Sequence, residues 1–206
     1  SFIYSNSSLP DNFSSGMRVS SADFDKDGDI DLFVGGRVVP GSYPLPAESF
    51  LLENISDANG IKFKNTDESI FSFKEIGLVT SSVWTDYNND GWEDLVVVGE
   101  WTPIKFYKNM EGKFSEDTSL IDVDSTRGWW YDIISEDFDN DGDMDLVIGN
   151  LGNNYKYQAS GDETFDIFYN DFDKNNSGDI VLSYYSDGEQ YPLRGRQCSS
   201  DQIPVS

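Results

Sequence analysis

DFDKDGDIDLFVGG, residues 23–36, recurs in three further places along the chain. The other copies are DYNNDGWEDLVVVGE (86–100), DFDNDGDMDLVIGN (137–150) and DFDKNNSGDIVLSYY (171–185). Each copy starts as an Asp-rich loop and continues as a short apolar run. Self-similarity of this kind indicates a repeat protein, in which one supersecondary unit is used several times.

Oxygen-bearing side chains occupy positions 1, 3, 5 and 9 of each copy, counted from its first Asp, and position 7 can offer its backbone carbonyl. Oxygen atoms with this spacing in a tight loop converge on one point, as in the first part of an EF-hand calcium loop. The pattern therefore predicts Ca²⁺ as the cofactor, up to four ions per chain. The candidate ligands are Asp23, Asp25, Asp27, Asp29 and Asp31; Asp86, Asn88, Asp90, Trp92 and Asp94; Asp137, Asp139, Asp141, Asp143 and Asp145; and Asp171, Asp173, Asn175, Ser177 and Asp179.

The sharp turn of such a loop requires a residue at position 6 that tolerates a positive φ. Gly28, Gly91 and Gly142 meet this requirement. The fourth copy has Asn176 there, the next most tolerant residue, and an amide rather than a carboxylate at position 5. We therefore expect the fourth site to be the weakest or most distorted.

The second half of each copy excludes an EF-hand. That loop ends in a bidentate Glu at position 12 and runs into a helix, whereas position 12 here is an aliphatic residue in every copy. Short β-branched runs bounded by Gly or Asn are typical of buried strands, so each loop is predicted to join two strands. A single Asp-rich turn is most often a solvated loop, but four copies in register favour metal sites.

The segments around the loops also read as strands. One strand is predicted to enter each loop, at 17–24, 79–87, 131–138 and 165–172. Two more are predicted after the first copy, at 48–54 and 61–67, and after the second, at 103–110 and 112–118. A full unit is thus a four-stranded antiparallel sheet, and four-stranded units of roughly 50–60 residues are typical of propeller blades.

The predicted fold class is all-β: a β-propeller, or a fragment of one, with about four blades and calcium loops between strands. We place the blades at 16–69, 70–119, 120–160 and 161–206, and interpret 1–15 as the outer strand of a preceding blade. The third blade is either shortened or takes its outer strands from elsewhere, because 149–163 has too few residues for two ordinary strands. The chain begins with Ser and shows no leader, so we expect 1–206 to be a propeller region excised from a longer chain, and association could complete the ring.

The composition of the chain excludes several classes of partner and of catalytic site. The formal charge is −24, from 14 basic and 38 acidic residues, which argues against nucleic acid as a partner because its binding requires surplus Lys and Arg. The chain has no His and one Cys, so it can build neither Ser-His-Asp nor Cys-His catalysis, nor a His- or thiolate-ligated zinc site. Its apolar runs are shorter than the ~20 residues that span a bilayer. We expect cation binding and no enzymatic activity.

The pattern DxDxDGDxDLxVG resembles the FG-GAP and VCBS repeats of integrin α-subunit propellers and of many exported bacterial proteins. The strings GGRVVPGSYPLP, VVVGEWTPIKFYKN, GNLGNNYKY and YPLRGRQCSSDQ are similar to one bacterial branch, which resembles cartilage acidic protein and often carries an ASPIC/UnbV module. The resemblance implies a calcium-stabilised propeller that is extracellular, on the cell surface or periplasmic. It also implies adhesion, or binding of a glycan or protein ligand.

Aromatic and basic residues offer further candidates. The tryptophans and Tyr131 could stack on sugar rings or a peptide, or could pack between blades as aromatic residues often do. Arg194 and Arg196 could bind a carboxylate or sulfate group, or pair with local Asp residues. The tryptophans are Trp84, Trp92, Trp101, Trp129 and Trp130.

The sequence thus favours a non-enzymatic calcium-binding module for adhesion or ligand binding. One alternative is the non-catalytic part of a carbohydrate-active enzyme such as a polysaccharide lyase. Another is a spacer between other domains. An exposed aromatic cleft with Arg nearby would favour glycan binding, whereas flat, filled faces would favour the spacer.

Overall fold

The computed structural model describes residues 5, 7–12, 14–120, 122–152 and 155–194, and these residues form β-strands joined by turns. The chain divides into two compact units, residues 1–150 and 151–206. All strand pairs are antiparallel. The described residues include no helix that is long and apolar enough to cross a membrane.

The first sheet of unit 1 contains one complete repeat in the order β1-β2-β3-β4. A segment from the start of the chain lies beside the outer strand β4, where Ser8 O accepts a hydrogen bond from Phe63 N at 2.8 Å. Residues 7–12 and 14–15, which we predicted to belong to an outer strand of a preceding blade, contain no strand. Ser5 is likewise outside any strand, and residues 1–4, 6 and 13 lie outside the described residues. The strands are β1 Gly16–Ala22, β2 Asp31–Gly36, β3 Phe50–Asn54 and β4 Phe63–Asn65.

The second sheet contains the next repeat and the two strands that follow it. Strand β6 pairs with β5 and β7, and its last residues pair with the start of β9 through Glu100–Trp129 and Thr102–Gly128. A single-turn 3₁₀ helix, Val123–Thr126, precedes β9. The strands are β5 Leu78–Thr85, β6 Asp94–Thr102, β7 Lys105–Met110, β8 Lys113–Asp117, β9 Gly128–Glu136 and β10 Asp145–Asn150.

Unit 2 is a three-stranded sheet of β11 Asp166–Asn170, β12 Asp179–Ser186 and β13 Glu189–Pro192. The described residues between β10 and β11 contain no strand, and the extent of the third blade stays a prediction. Tyr155 and Tyr157 from this stretch instead pack around Phe165, and Tyr157 also stacks on Tyr184 of β12 with a centroid distance of 4.6 Å. The unit boundary at residue 150 therefore falls within the predicted third blade.

The first strands of successive repeats lie side by side in unit 1. Ser20 Oγ of β1 is 2.8 Å from Ser82 Oγ of β5, and Ser81 Oγ donates to Asp132 Oδ1 of β9 at 2.6 Å. Farther along, Ser135 Oγ donates to Thr85 Oγ1 at 3.0 Å. These pairs advance together along β5 and β9, so the two strands run in the same direction. Such an arrangement is consistent with the inner strands of a β-propeller fragment, while blade number and ring closure stay predictions.

Strand β6 shows why the apolar runs follow the loops. Leu95 and Val97 belong to a core cluster with the first sheet, whereas Val96 and Val98 belong to a second cluster with β9 and β10. Because alternate residues of a strand point to opposite faces, a continuous apolar run is needed when both faces are covered. The prediction of a buried strand is therefore confirmed for β6.

Strand β10 departs from this prediction. Leu146 and Ile148 pack against the second cluster, but Val147 is 52% exposed, and its cross-strand partner Ile134 is 50% exposed. Only one face of the β9–β10 ladder is covered. The apolar run alone did not distinguish a strand buried on two faces from one buried on a single face.

Close packing at the end of β6 requires a glycine. A Cβ on Gly99 would lie against the backbone carbonyl oxygen of Leu78, well inside van der Waals contact. We expect Gly99→Ala to lower the free energy of unfolding by about 2 kcal/mol, since neither backbone can move aside cheaply. Urea denaturation measures this change.

Gly149→Ala is the matched control, because the nearest atom to its added Cβ would be 3.9 Å away. It should change stability by less than about 0.5 kcal/mol. Equal effects of the two substitutions would contradict the packing described for β5 and β6.

Candidate metal centres

The four Asp-rich loops adopt the same backbone conformation. Position 6 has a positive φ in every copy, as predicted, and Asn176 takes this conformation in the fourth. Position 4 also has a positive φ in every copy, which the sequence did not lead us to expect. The values are 61°, 56°, 61° and 60° at Lys26, Asn89, Asn140 and Lys174, and 96°, 88°, 98° and 66° at Gly28, Gly91, Gly142 and Asn176.

Backbone N–H groups hold the loop side chains in place in each copy. The N–H of position 6 donates to Oδ2 of position 1, at 3.1, 2.7, 3.1 and 2.9 Å in chain order. The N–H of position 7 donates to Oδ1 of position 5, at 2.9, 3.0, 2.9 and 2.7 Å. The fourth loop keeps both hydrogen bonds, so the distortion that we expected there is not seen in its backbone. Its affinity for calcium stays a prediction.

Carboxylates converge in three of the loops. One oxygen from each of three Asp side chains lies within 4.8 Å of the others in every cluster. Positions 1 and 3 contribute in all three loops, joined by position 5 in the first and by position 9 in the third and fourth. The clusters are Asp23, Asp25 and Asp27; Asp137, Asp139 and Asp145; and Asp171, Asp173 and Asp179.

The second loop differs because its position 3 is an amide. Asn88 Oδ1 accepts from the N–H of Asp90 at 3.0 Å, and Asn88 Nδ2 donates to Asp94 Oδ2 at 2.7 Å. The amide of Asn88 therefore holds Asp94 by a hydrogen bond, and its role as a metal ligand stays a prediction. Lys108 Nζ also lies 3.3 Å from Asp90 Oδ2.

The first loop satisfies a physical test for a cation. Asp23 Oδ1 and Asp31 Oδ2 are buried and have no hydrogen-bond partner among the described residues. A buried carboxylate oxygen without a partner is costly, and burial raises the pKa of Asp31 to about 6. A hard divalent cation with oxygen ligands would supply the missing interaction. Asp23, Asp25, Asp27 and Asp31 thus fit a Ca²⁺ ion.

The span from the second loop to the third corresponds to a known repeat. Residues 86–148 match the family model of the FG-GAP-like repeat. The match starts at the first Asp of one loop and ends at position 12 of the next, so it covers β6 to β9 and both loops. It supports the FG-GAP and VCBS resemblance for this part of the chain and indicates a β-propeller-like module. No curated protein matches the chain.

The sequence analysis did not identify two asparagines, Asn54 and Asn109, as site residues. The backbone N–H of Asn54, at the end of β3, donates to Asp31 Oδ1 at 2.7 Å, and that of Asn109 in β7 donates to Asp94 Oδ1 at 2.7 Å. Each side-chain Nδ2 donates to the carbonyl at position 8 of the same loop, at 3.0 Å. The sequence did contain a signal that could have identified them: an Asn stands at the same place in LLEN and FYKN, the third strands of the two complete units.

These asparagines divide the loops into two kinds. Asp31 and Asp94 are fully buried, and burial raises the pKa of each to about 6. Asp145 is exposed, and its Oδ2 accepts from the N–H of Phe138 in its own loop at 3.0 Å. Asp179 makes the matching bond to Phe172 N at 3.0 Å. The first two loops are therefore anchored to a third strand as well, whereas the hydrogen bonds described for Asp145 and Asp179 come from within their own loops.

Neighbouring loops of unit 1 contact one another in a regular way. Lys26 Nζ, at position 4 of the first loop, lies 4.1 Å from the ring centroid of Trp92, at position 7 of the second. Asn89 Nδ2, at position 4 of the second loop, donates to Asp143 Oδ1, at position 7 of the third, at 2.8 Å. Position 4 of the first and second loops thus contacts the next loop of unit 1.

All five tryptophans are half-buried. Trp84 packs against the first core cluster and Trp130 against the second. Trp101 and Trp129 face each other with ring centroids 5.1 Å apart. Arg194 is exposed, while Arg196 lies outside the described residues. Of the two alternatives for the tryptophans, packing in the core is thus seen for Trp84 and Trp130.

Asn109 connects two loops at once. Its Nδ2 donates to Phe24 O of the first loop at 2.8 Å and to Glu93 O of the second at 3.0 Å, and its Oδ1 accepts from Gly112 N at 2.8 Å. We expect Asn109→Ala to lower the free energy of unfolding by about 2–3 kcal/mol, because it leaves buried backbone groups without partners. Chemical denaturation of the calcium-free protein measures this loss.

Asn65→Ala is the control for this substitution. Asn65 is exposed, and its side chain bonds only the side chain of Asn12 in the hydrogen bonds seen, so its removal should cost less than about 0.5 kcal/mol. A loss at Asn109 as small as the loss at Asn65 would show that the loops are not connected through this side chain.

Proposed function

We propose that this chain is a calcium-stabilised, β-propeller-like module that works outside the cytoplasm in adhesion or ligand binding and is not an enzyme. The observation that carries the proposal is the recurrence of one loop pattern four times, with the same backbone hydrogen bonds at positions 6 and 7. In the first loop, buried carboxylate oxygens of Asp23 and Asp31 have no partner among the described residues. This arrangement is costly without a cation and favourable with one.

The acidic balance of the chain supports a cation as the partner. A formal charge of −24 opposes folding through self-repulsion, and divalent ions bound at the loops offset it where carboxylates are most crowded. Extracellular modules bind calcium with a Kd of about 10⁻⁴–10⁻³ M. These affinities suit a compartment where calcium is present at millimolar concentration, which is why we place the protein extracellularly, on the cell surface or in the periplasm.

The expected contribution to stability is large. With a Kd of ~0.1 mM and ~2 mM calcium, each occupied site stabilises the fold by about 1.8 kcal/mol. Four such sites would contribute about 7 kcal/mol, which is comparable to the net stability of a whole domain. The ions are therefore structural in this proposal. The recurrent carboxylates are assigned to them, so they are not free to act as paired acid and base groups.

Thermal melting tests this role. The melting temperature of the protein should rise when about 2 mM calcium replaces a chelator, because only the folded state has the loops assembled. Asp23→Asn keeps the shape of the side chain but removes one charge from the first loop. It should reduce the calcium-dependent stabilisation by about one site, roughly 1.8 kcal/mol.

Asp11→Asn is the matched control, since Asp11 is exposed and outside the loops while the change in charge is the same. It should keep the full response to calcium. Identical melting curves of the unmodified protein in calcium and in chelator would contradict the proposal.

A further inference from the structure

Strand β10 follows the third metal loop and has a strand partner on one side only. In the two complete repeats, the corresponding strands β2 and β6 each have a third strand beside them, β3 and β7. In the part of the chain that the structure describes, β10 pairs with β9 and with no other strand. The outer edge of a strand presents backbone N–H and C=O groups, and it is a template for a further strand.

Apolar side chains lie along this edge on the uncovered face of the β9–β10 ladder. Val147 of β10 is 52% exposed, and its cross-strand neighbour Ile134 is 50% exposed. Proteins commonly protect an open edge with Lys or Pro, but β10 reads DLVIGN and contains neither. Its single charge, on Asp145, stands at the start of the strand. The edge is therefore suited to pairing with another strand.

The sequence of β10 also has the pattern of a third strand. Strands β3 and β7 contain LLEN and FYKN, and β10 ends in VIGN. Each string has two aliphatic or aromatic residues, one further residue and an Asn. In the complete repeats this Asn is the residue whose backbone N–H donates to the Asp at position 9 of the loop. Strand β10 thus resembles the kind of strand that it has no partner from.

The register of the complete repeats makes β10 complementary to itself. Leu51 of β3 lies opposite Phe33, at position 11 of the first copy. Phe106 of β7 lies opposite Val96, at position 11 of the second. Val147 is at position 11 of the third copy, and in the pattern of third strands it also matches Leu51 and Phe106. Two β10 strands in this antiparallel register therefore place Val147 opposite Val147 of a second copy, on a twofold axis.

From these observations we propose that the β10 edge pairs with the β10 edge of a second copy of this chain, each copy supplying the third strand for the other. The two exposed Val147 side chains then pack together, with Ile134 on either side, as one apolar row across the sheet. Gly149 of one copy comes opposite Asp145 of the other, so the pairing sets no carboxylate against another. It also brings the backbone N–H of Asn150 to Asp145, as that of Asn54 is brought to its loop.

The charge of the chain bears on the choice of partner. A formal charge of −24 opposes association of two copies, but at about 150 mM salt the repulsion is screened beyond about 8 Å. A second copy is favoured over an unrelated protein because β10 itself has the pattern and the register of the strand that the edge fits. This inference goes beyond the proposed calcium role and does not depend on it.

Sedimentation equilibrium of the 206-residue chain, from micromolar to several hundred micromolar concentration, tests the inference. We expect a dimer with twice the chain mass of 23.2 kDa. Val147→Lys should abolish it, because like charges directly opposite each other destabilise a strand pair. Val19→Lys is the matched control, since Val19 of β1 is 58% exposed and lies away from β10, and it should leave the dimer intact.

Disulfide formation tests the register without relying on loss of binding. In a Cys198→Ser background, which has no other cysteine, Val147→Cys should give a covalent dimer on oxidation. Residues directly opposite in an antiparallel pair have Cα atoms about 4.5–5.5 Å apart, within the range that a disulfide bridges. Ile134→Cys in the same background should stay unlinked, because three strand spacings, about 14 Å, separate the two copies there.

A dimer that is lost in Val147→Lys, kept in Val19→Lys and cross-linked at position 147 alone supports the inference. A chain that is monomeric throughout, a dimer that survives Val147→Lys, or equal cross-linking at positions 134 and 147 would overturn it. A monomer that binds a synthetic peptide with the sequence of residues 103–110 would overturn it as well, because another protein would then supply the strand. None of these readouts measures calcium binding, so they are separate from the test of the metal role.

Discussion

Each repeat has to hold several carboxylates close together at the turn between its first two strands, and the rest of the structure depends on how this repulsion is managed. In the first loop the three Asp oxygens lie within 4.8 Å of one another, where like charges repel by about 1 kcal/mol per pair even at the dielectric of water. Backbone N–H groups of the loop donate to one oxygen of Asp23 and one of Asp27. The N–H of Asn54 donates to Asp31 from the neighbouring strand. The remaining oxygens converge, and a divalent cation is the counter-charge that suits them.

The loops also set the geometry of unit 1 beyond the turn. They hold the ends of β1, β5 and β9. Ser20 of β1 then contacts Ser82 of β5, and Ser81 of β5 contacts β9. With the inner strands aligned at the loop end, their opposite ends are brought together as well. Glu100 and Trp101 from one repeat lie there beside Trp129 from the next.

Local signals allowed much of this to be predicted from the sequence. The Asp spacing, the Gly at position 6 and the apolar runs all act within one loop and strand, and the strands predicted around the first two loops are those that form. Features that depend on distant residues were not predictable in the same way. The roles of Asn54 and Asn109 require strand β3 or β7 to lie beside the loop. The bulge at Trp101 requires β9 to pair with the end of β6, and the exposed face of β10 depends on which sheet covers it.

The direct test of the account is a count of bound ions. Equilibrium dialysis of the chain against radioactive calcium at millimolar concentration gives the number of ions per chain without assuming any effect on stability. The account predicts saturation near four ions, one for each loop, with one fewer after Asp23→Asn. If no calcium is bound at millimolar free calcium, the loops are acidic turns closed by their own backbone, which would contradict the account.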